Sequence, residues 1–288
     1  MQQKNDTNET ITEQKSSCSS IEDQILLLIE QSLKKGNKNI KTFAKELRNN
    51  ILMKFSIDLI KEKLLSLIQT KKIYYIRHAQ AEHNAYKKMQ VNNGINKDQT
   101  RSKSFNDPIL TELGISQTQT IMNTLSKIGI DFEVVFVSPL KRAIQTMTNI
   151  QNIFKEKQTK KIMTDLIREA LTLSNKNIGM SKDEMKKHYF DIDISYISKN
   201  MWWFDTEEEE LKGIYQHEAE NLELFKLRVV LFLLWIVFRK EKNILIISHS
   251  KVFKAIMKKK IANADVVLLD KDIIGNECLN FIQNKYNG

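Results

Sequence analysis

The chain has 288 residues, of which 41% are hydrophobic, and its 45 Lys and Arg against 35 Asp and Glu give a formal net charge of +10. This length allows one large domain, or a medium domain with a small addition, and the charge suits a nucleic acid, a membrane surface or a phosphorylated small molecule as partner. With only 8 Gly and neither GxGxxG nor GxxxxGK[ST] in the sequence, the two commonest Gly-rich nucleotide-binding fingerprints are excluded.

The N-terminal residues and the two cysteines indicate an intracellular protein. Residues 1–20 are polar and are expected to form a disordered tail without a secretory signal. Cys18 and Cys278 lie near opposite ends, so a disulfide scaffold is excluded and a reducing compartment, cytoplasmic or nuclear, is expected. The longest apolar run, Val229 to Phe238, is about half of what a bilayer requires, so no membrane partner is expected.

Apolar residues at helical spacing predict a three-helix unit over residues 21–71. Gly36 and Asn37 are expected to close the first helix, Thr42 to cap the second, and Ser56 to precede the third. Residues 21 to 72 hold 11 basic and 6 acidic residues. About half of the excess positive charge therefore lies on less than a fifth of the chain.

This segment resembles the C-terminal helical domain of the DEK chromatin protein. The similarity lies in the opening Ile/Leu helix, the middle helix that starts at a threonine, and the start of the last helix at Asp58. Because members of that family bind DNA or mediate protein contacts, the resemblance implies a basic module that docks to nucleic acid or protein. The alternative is a plain three-helix accessory bundle with a solvated basic face.

From residue 72 onward, continuous apolar strands alternate with helices. This pattern predicts an α/β fold, a three-layer sandwich with a mainly parallel central sheet, and it places functional residues just past the carboxyl ends of the strands. The predicted strands are Ile73–Ile76, Val134–Val137 and Ile244–Ile247, and the predicted helices cover residues 111–125, 140–154, 221–238 and the stretch from 252 onward.

Polar side chains of one chemical kind follow these strands. Arg77 and His78 follow the first strand, Arg142 lies shortly after the second, and His249 follows the last. Guanidinium groups match phosphate oxygens in a bidentate manner, and a neutral imidazole is a competent nucleophile. The strand ends therefore predict a pocket for a phosphoryl group.

The segments IYYIRHAQAEHN, VVFVSPLKRAIQT, IRE and ILIISHS resemble, in that order, the four signature segments of the histidine phosphatase superfamily, also called phosphoglycerate mutase-like. The resemblance covers about residues 73 to 260 and implies that residues 72–288 form the catalytic domain. It implies a reaction without metal or cofactor, in which His78 becomes phosphohistidine. By the same resemblance Arg77, Arg142 and His249 hold the phosphoryl group, and Glu169 donates a proton.

Other positions match or depart from the pattern of the superfamily. Asn84 matches an asparagine that contacts phosphate, and Ser250, which stands where a glycine is usual, is expected to join it beside His249. Ala79 replaces the glycine of the usual RHG. Residues 170–177 contain no arginine, where relatives carry arginines that bind substrate. The usual substrate contacts are therefore in doubt.

Several other candidates have simpler interpretations. His83, His188 and His217 are expected to be structural or surface residues. Asp205 with Glu207–Glu210 suits a helix N-terminus better than a metal site. Trp202 and Trp203 are expected to pack a cap over the site. A basic lid or a solvated loop is expected to contain Lys87, Lys88, Lys97, Arg101 and Lys103.

Three functions remain open at this point. The first is a metal-independent phosphatase that acts through phosphohistidine on a small phosphate ester or a phosphoprotein. The second is a weak or inactive phosphatase-fold scaffold that docks to nucleic acid or a protein complex through residues 21–71. The third is a phosphomutase, which is less favoured because a mutase must retain a bisphosphorylated intermediate and the expected additional arginines are missing.

Overall fold

The computed structural model describes residues 20–35, 39–95, 105–154, 158–204 and 219–284. Five strands of the described chain form one sheet in the order β3-β2-β4-β1-β5. The strands β1 to β4 pair in parallel, and β5 is antiparallel to β1. The predicted α/β fold with a mainly parallel sheet is confirmed. The strands are β1 Lys72–Arg77, β2 Val134–Val137, β3 Lys160–Met163, β4 Asn243–Ser248 and β5 Val266–Leu268.

Three helices precede the sheet, as predicted, and the others connect or flank its strands. The predicted tail up to residue 19, with Cys18, and the predicted helix end at Gly36 and Asn37 lie outside the described residues. The helices are α1 Ile21–Lys35, α2 Ile40–Leu52, α3 Ile57–Gln69, α4 Glu82–Asn92, α5 Glu112–Ile128, α6 Lys141–Asn149, α7 Lys182–His188, α8 Leu222–Phe238, α9 Ser250–Met257 and α10 Lys271–Ile282.

The helix caps show where local sequence signals decide the boundaries. Ser56 caps α3, and Thr111 caps α5 through a hydrogen bond from the Gly114 backbone. The prediction that Thr42 caps α2 is wrong. Asn39 caps this helix, because its side chain accepts hydrogen bonds from the Lys41 and Thr42 backbones, and an asparagine is an equally good N-cap that stands three residues earlier.

Five elements carry signals too weak for the sequence to reveal them: α4, β3, α7, β5 and α10. Strand β3 has the sequence KKIM, and β5 is only three residues long. Helix α4 has no buried residue among those described, so it lacks the apolar stripe that identifies a helix. Helix α6 also ends at Asn149, before the predicted end at residue 154, and a short 3-10 turn follows it.

The two faces of the sheet bury separate cores. Alternate residues of each strand point to opposite faces, so Phe136 packs under α8 while Val135 and Val137 pack on the α5 and α6 side. Helix α8 is buried from Val229 to Phe238, as expected for the longest apolar run. None of the helices in the described chain is both long and apolar enough to span a membrane.

Helices α1, α2 and α3 cover the face of α8 that points away from the sheet. Their buried residues, such as Ile29, Leu47 and Leu64, belong to the same hydrophobic cluster as α8. Glu30 adds a polar link, since its carboxylate accepts hydrogen bonds from Trp235 at 3.2 Å and from Arg239 at 2.8 Å. The three helices thus share one core with the sheet, and their standing as a separate domain over residues 21–71 stays a prediction.

Two helical glycines provide a test of this packing. A Cβ at Gly114 in α5 would lie 2.1 Å from the carbonyl oxygen of Gln80, whereas a Cβ at Gly275 in α10 would meet only side chains at ordinary contact distances of 3.7 to 4.0 Å. We expect Gly114→Ala to destabilise the protein by about 2 kcal/mol. Gly275→Ala should be neutral or stabilise it by about 0.5 to 1 kcal/mol. Urea unfolding measures both, and equal effects of the two variants would contradict the structure.

Candidate active site

His78 lies at the carboxyl end of β1, where its backbone N–H donates to Ser248 of the neighbouring strand at 2.9 Å. The side chain is 2% exposed. Its Nδ1 lies 2.8 Å from the carbonyl oxygen of Ala79, and a carbonyl only accepts hydrogen bonds, so Nδ1 carries the proton. The other nitrogen, Nε2, therefore presents a lone pair, which accepts a hydrogen bond from Arg142 Nε at 3.3 Å.

Arg142 lies in the first turn of α6, directly after the end of β2, and its side chain is 1% exposed. Its other nitrogens donate to the Lys176 carbonyl at 3.0 Å and to Asn177 Oδ1 at 2.9 Å. Burial lowers the pKa of Arg142 to about 10, although the charges of Asp107 and Glu169 oppose this. The guanidinium thus stays charged at neutral pH and is held in one orientation against His78.

Arg77 and His249 complete the cluster at the ends of β1 and β4. Arg77 donates to the carbonyl of Ile261 at 2.9 Å. His249 is fully buried, its ring centroid lies 5.1 Å from that of His78, and its Nε2 lies 2.7 Å from Ser138 Oγ. The hydroxyl of Tyr75 holds the His249 backbone, since it accepts from the amide at 2.9 Å and donates to the carbonyl at 2.7 Å.

The electrostatics of this cluster keep its histidines neutral. Burial, followed by the positive charge of Arg142, lowers the pKa of both His78 and His249 well below 6.5. The cluster thus combines permanent guanidinium charge with uncharged imidazoles. Such a site attracts an anion and keeps His78 Nε2 unprotonated, which is the state in which an imidazole is a nucleophile.

Glu169 lies beside the first turn of α9. Its carboxylate accepts hydrogen bonds from the Ala170 backbone at 2.9 Å and from the Lys251 backbone at 3.4 Å. The same charge acts on both arginines, since it opposes the burial-driven lowering of the pKa of Arg77 and of Arg142. The structure therefore places Glu169 close enough to the cluster for its charge to act on Arg77 and Arg142.

A buried ion cluster fixes the segment that carries Glu169. Glu220 accepts from Arg228 at 2.6 and 2.9 Å, lies 3.1 Å from the Arg168 guanidinium, and accepts from the Leu171 backbone at 3.2 Å. Burial opposes its ionisation, but the charges of the two arginines outweigh burial and lower the pKa of Glu220. Arg168 thus pairs with Glu220, which leaves the adjacent Glu169 facing the site.

Asn84 and Ser250 occupy the edge of the cluster. Asn84 Oδ1 accepts from the Ala81 backbone at 3.1 Å and from Asn263 Nδ2 at 3.3 Å, and Asn263 also donates to the His78 carbonyl at 2.9 Å. Ser250 is the half-buried first residue of α9. The predicted site residues thus gather around the ends of β1, β2 and β4, and their assigned roles stay predictions.

A family comparison agrees with this geometry. Residues 73–288 match the model of the histidine phosphatase superfamily, branch 1. The chain belongs to the histidine phosphatase superfamily.

Several known proteins of this superfamily are similar to the chain. The 2,3-bisphosphoglycerate-dependent phosphoglycerate mutase of Buchnera aphidicola is 24% identical over 70% of this chain and 90% of its own length. Phosphoglycerate mutase-like protein 1 of Arabidopsis thaliana is 25% identical over 65% of this chain and 71% of its own. Among solved structures, the α-ribazole phosphatase of Shigella flexneri has 18% identity and a TM-score of 0.43, with 69% of this chain and 96% of that chain covered.

This superfamily member uses its unusual stretch 170–177 to position Arg142. Within the stretch, Lys176 and Asn177 accept hydrogen bonds from the guanidinium, and Asn177 Nδ2 donates to the Ala170 carbonyl at 2.7 Å. The stretch, which contains no arginine, thus supplies a backbone carbonyl and an amide group that orient Arg142. Nothing in the sequence of the stretch signals this role.

The structure places the residues that were expected to be structural or surface residues in different surroundings. Trp202 and Trp203 are buried and pack edge to face at 5.3 Å, and His188 is exposed. That the two tryptophans form a cap over the site stays a prediction. His83, by contrast, lies beside the cluster, with its ring centroid 6.1 Å from that of His78. The signal in the sequence that could have indicated this location is the position of His83, five residues after His78. The candidates His217, Asp205, Glu207–Glu210, Lys97, Arg101 and Lys103 lie outside the described residues.

The neutral histidines of this superfamily member predict a dependence of stability on pH. The folded pKa values of His78, His83 and His249 lie below 6.5, so below pH 6.5 the unfolded chain binds more protons than the folded one. The free energy of unfolding should therefore fall on acidification, by up to about 1.4 kcal/mol per pH unit for each histidine. Urea unfolding at pH 7.5, 6.0 and 5.0 measures this.

Matched variants assign the effect to individual side chains. His83→Asn should reduce the loss of stability between pH 7.5 and 5.0 relative to the unsubstituted chain, because it removes one titrating group. His188→Asn, at an exposed position, should leave the loss unchanged. Equal losses in all three proteins would contradict a lowered pKa of His83 in the folded chain.

Proposed function

We propose that this protein is a phosphatase that hydrolyses phosphate esters through a phosphohistidine intermediate at His78. The observation that carries this proposal is the pairing of the unprotonated His78 Nε2 with the buried Arg142 guanidinium at 3.3 Å. This pairing puts a nucleophilic lone pair and a permanent cation at one point of a buried site. A phosphoryl group needs both for in-line transfer.

In the proposed reaction, His78 Nε2 attacks phosphorus, so that an N–P bond forms while the P–O bond of the ester breaks. Negative charge spreads over the three equatorial oxygens, where Arg77, Arg142 and His249 are the proposed stabilising groups. Glu169 is the proposed donor of a proton to the leaving oxygen. Water then attacks the phosphohistidine and gives a proton to the Glu169 carboxylate, so that the N–P bond breaks, phosphate is released, and both the lone pair of His78 and the proton of Glu169 are restored.

Hydrolysis is favoured over mutase chemistry by the stretch 170–177. A mutase must hold a second phosphoryl or carboxylate group while the intermediate turns over, and in this chain the stretch supports Arg142 instead of supplying arginines. One of the relatives is a named phosphoglycerate mutase, so membership of the superfamily is compatible with mutase chemistry as well. The proposed substrate is a small phosphate ester or a phosphoprotein.

Hydrolysis of p-nitrophenyl phosphate tests this function. His78→Ala should abolish turnover, because no other group is proposed to form the N–P bond, and Arg142→Met should lower kcat by a factor on the order of 10² to 10³. His188→Ala, at an exposed position, is the control and should keep full activity. If His78→Ala and the unsubstituted protein hydrolyse the substrate at equal rates, the proposal fails.

A second candidate function rests on the exposed side of α2. Lys41, Lys45 and Arg48 lie four and three residues apart, so they form one stripe on the helix. They line a cleft of about 290 Å³ together with Leu227 and Phe281. We propose that this stripe, within the DEK-like segment 21–71, docks to the phosphate backbone of a nucleic acid. In this second function the protein is a scaffold whose catalytic site is weak or inactive.

Binding of fluorescent duplex DNA by the full chain at two salt concentrations tests the docking proposal. The affinity should fall steeply with salt, because phosphate contacts release counterions. Charge reversal of Lys41, Lys45 and Arg48 to glutamate should abolish binding at low salt. The control reverses the exposed Lys127, Lys186 and Lys187, which changes the net charge equally. Absence of binding by the unsubstituted chain at low salt would leave only a protein as partner.

A further inference from the structure

In the part of the chain that the structure describes, His83 is the one histidine beside the site for which the proposed mechanism gives no task. It lies in the first turn of α4 and is half-buried. Burial, followed by the charges of Arg142, Lys176 and Arg77, lowers its pKa to about 2. Apart from burial, the groups that act on His83 are therefore the cations of the catalytic cluster, and its imidazole is neutral at neutral pH.

The hydrogen bonds around His83 determine which ring nitrogen carries the proton. The Ala81 backbone N–H donates to Asn84 Oδ1 at 3.1 Å, which fixes the orientation of the Asn84 amide. Asn263 Nδ2 donates to the same oxygen at 3.3 Å and to the His78 carbonyl at 2.9 Å, so both amides are oriented by backbone groups. Asn84 Nδ2 must then point toward His83 Nε2, 3.0 Å away.

An amide NH₂ group only donates hydrogen bonds, so His83 Nε2 accepts and the proton lies on Nδ1. This Nδ1–H is buried and has no hydrogen-bond partner in the part of the chain that the structure describes. A buried donor requires an acceptor. The charged neighbours Arg77, Arg142 and Lys176 offer only donors on their side chains, so an anionic oxygen that they attract is the acceptor that suits the position.

We propose that His83 is a further phosphate-binding residue, whose Nδ1–H donates a hydrogen bond to an oxygen of the phosphoryl group held by Arg77 and Arg142. The inference rests on the proposed function and names a contact within that site. His78 and His83 then use the same tautomer for different tasks. In His78 the Nδ1–H is engaged by the Ala79 carbonyl and the Nε2 lone pair reacts, whereas in His83 the Nε2 lone pair is engaged by Asn84 and the Nδ1–H binds.

Two amide substitutions separate the two ring nitrogens. The side-chain nitrogen of asparagine can occupy the place of histidine Nδ1, whereas that of glutamine reaches the place of Nε2. Isothermal titration calorimetry with inorganic phosphate and with tungstate should give dissociation constants for His83→Asn within about threefold of the unsubstituted chain. His83→Gln and His83→Leu should bind about 10- to 100-fold more weakly, which is the loss of affinity expected when one hydrogen bond to a charged group is removed.

A second readout follows the unsubstituted chain, and a variant is used only to identify the signal. In ¹⁵N NMR of the full chain, the ring of His83 should show the proton on Nδ1, and the Nδ1 signal should shift on addition of phosphate. The His83→Asn variant identifies the signal. A proton on Nε2, or unchanged phosphate affinity in His83→Leu, would overturn the proposal. The proposal would also be overturned if His83→Gln bound phosphate as tightly as His83→Asn, or more tightly.

These measurements follow binding, so they are separate from the test of the phosphatase. Phosphate binding with the expected difference between His83→Asn and His83→Gln supports the role of His83 even if no ester is hydrolysed, in which case only the catalytic proposal fails. Absence of phosphate binding by the unsubstituted chain overturns the role of His83. Thermal unfolding of each variant identifies any that is not folded.

Discussion

The buried guanidinium of Arg142 is the constraint on which the site depends. Among the described residues, the carboxylate of Asp107 is its ion-pair partner at 4.0 Å, and its direct hydrogen-bond acceptors are the neutral His78, Asn177 and the Lys176 carbonyl. A charge that is buried with incomplete compensation suppresses the protonation of nearby imidazoles and favours an anion in its place. Burial and the charge of Arg142 thus keep His78 neutral, and the same charge is the one that the proposed phosphoryl group would neutralise.

The sheet and a second ion cluster keep these groups in position. Parallel strands bring Arg77 and His249 to one edge, although 172 positions separate them in the chain. On the other side of the site, the Glu220 carboxylate pairs with both Arg168 and Arg228. Removing the carboxylate of such a buried cluster leaves unpaired charge, so the segment around Glu169 is held by an interaction that tolerates little change.

Helix α8 explains why the basic N-terminal helices are part of the folded body. It is apolar on all sides, so one face packs on Phe136 of the sheet and the other requires a cover. Helices α1 to α3 provide this cover with residues such as Ile29 and Leu47, which directs their lysines to solvent. The excess of positive charge on this segment is therefore compatible both with a docking surface and with a plain solvated face.

The sequence by itself determined the strands β1, β2 and β4, the parallel sheet, and the gathering of His78, Arg142 and His249, because apolar runs and strand-end positions are local patterns. The tertiary structure alone decided the strands β3 and β5, whose short sequences gain their conformation from pairing. It also decided the tautomer of His83. That proton is placed by a chain of hydrogen bonds through Asn263, which lies 180 positions away in the sequence and carries no local signal of its role.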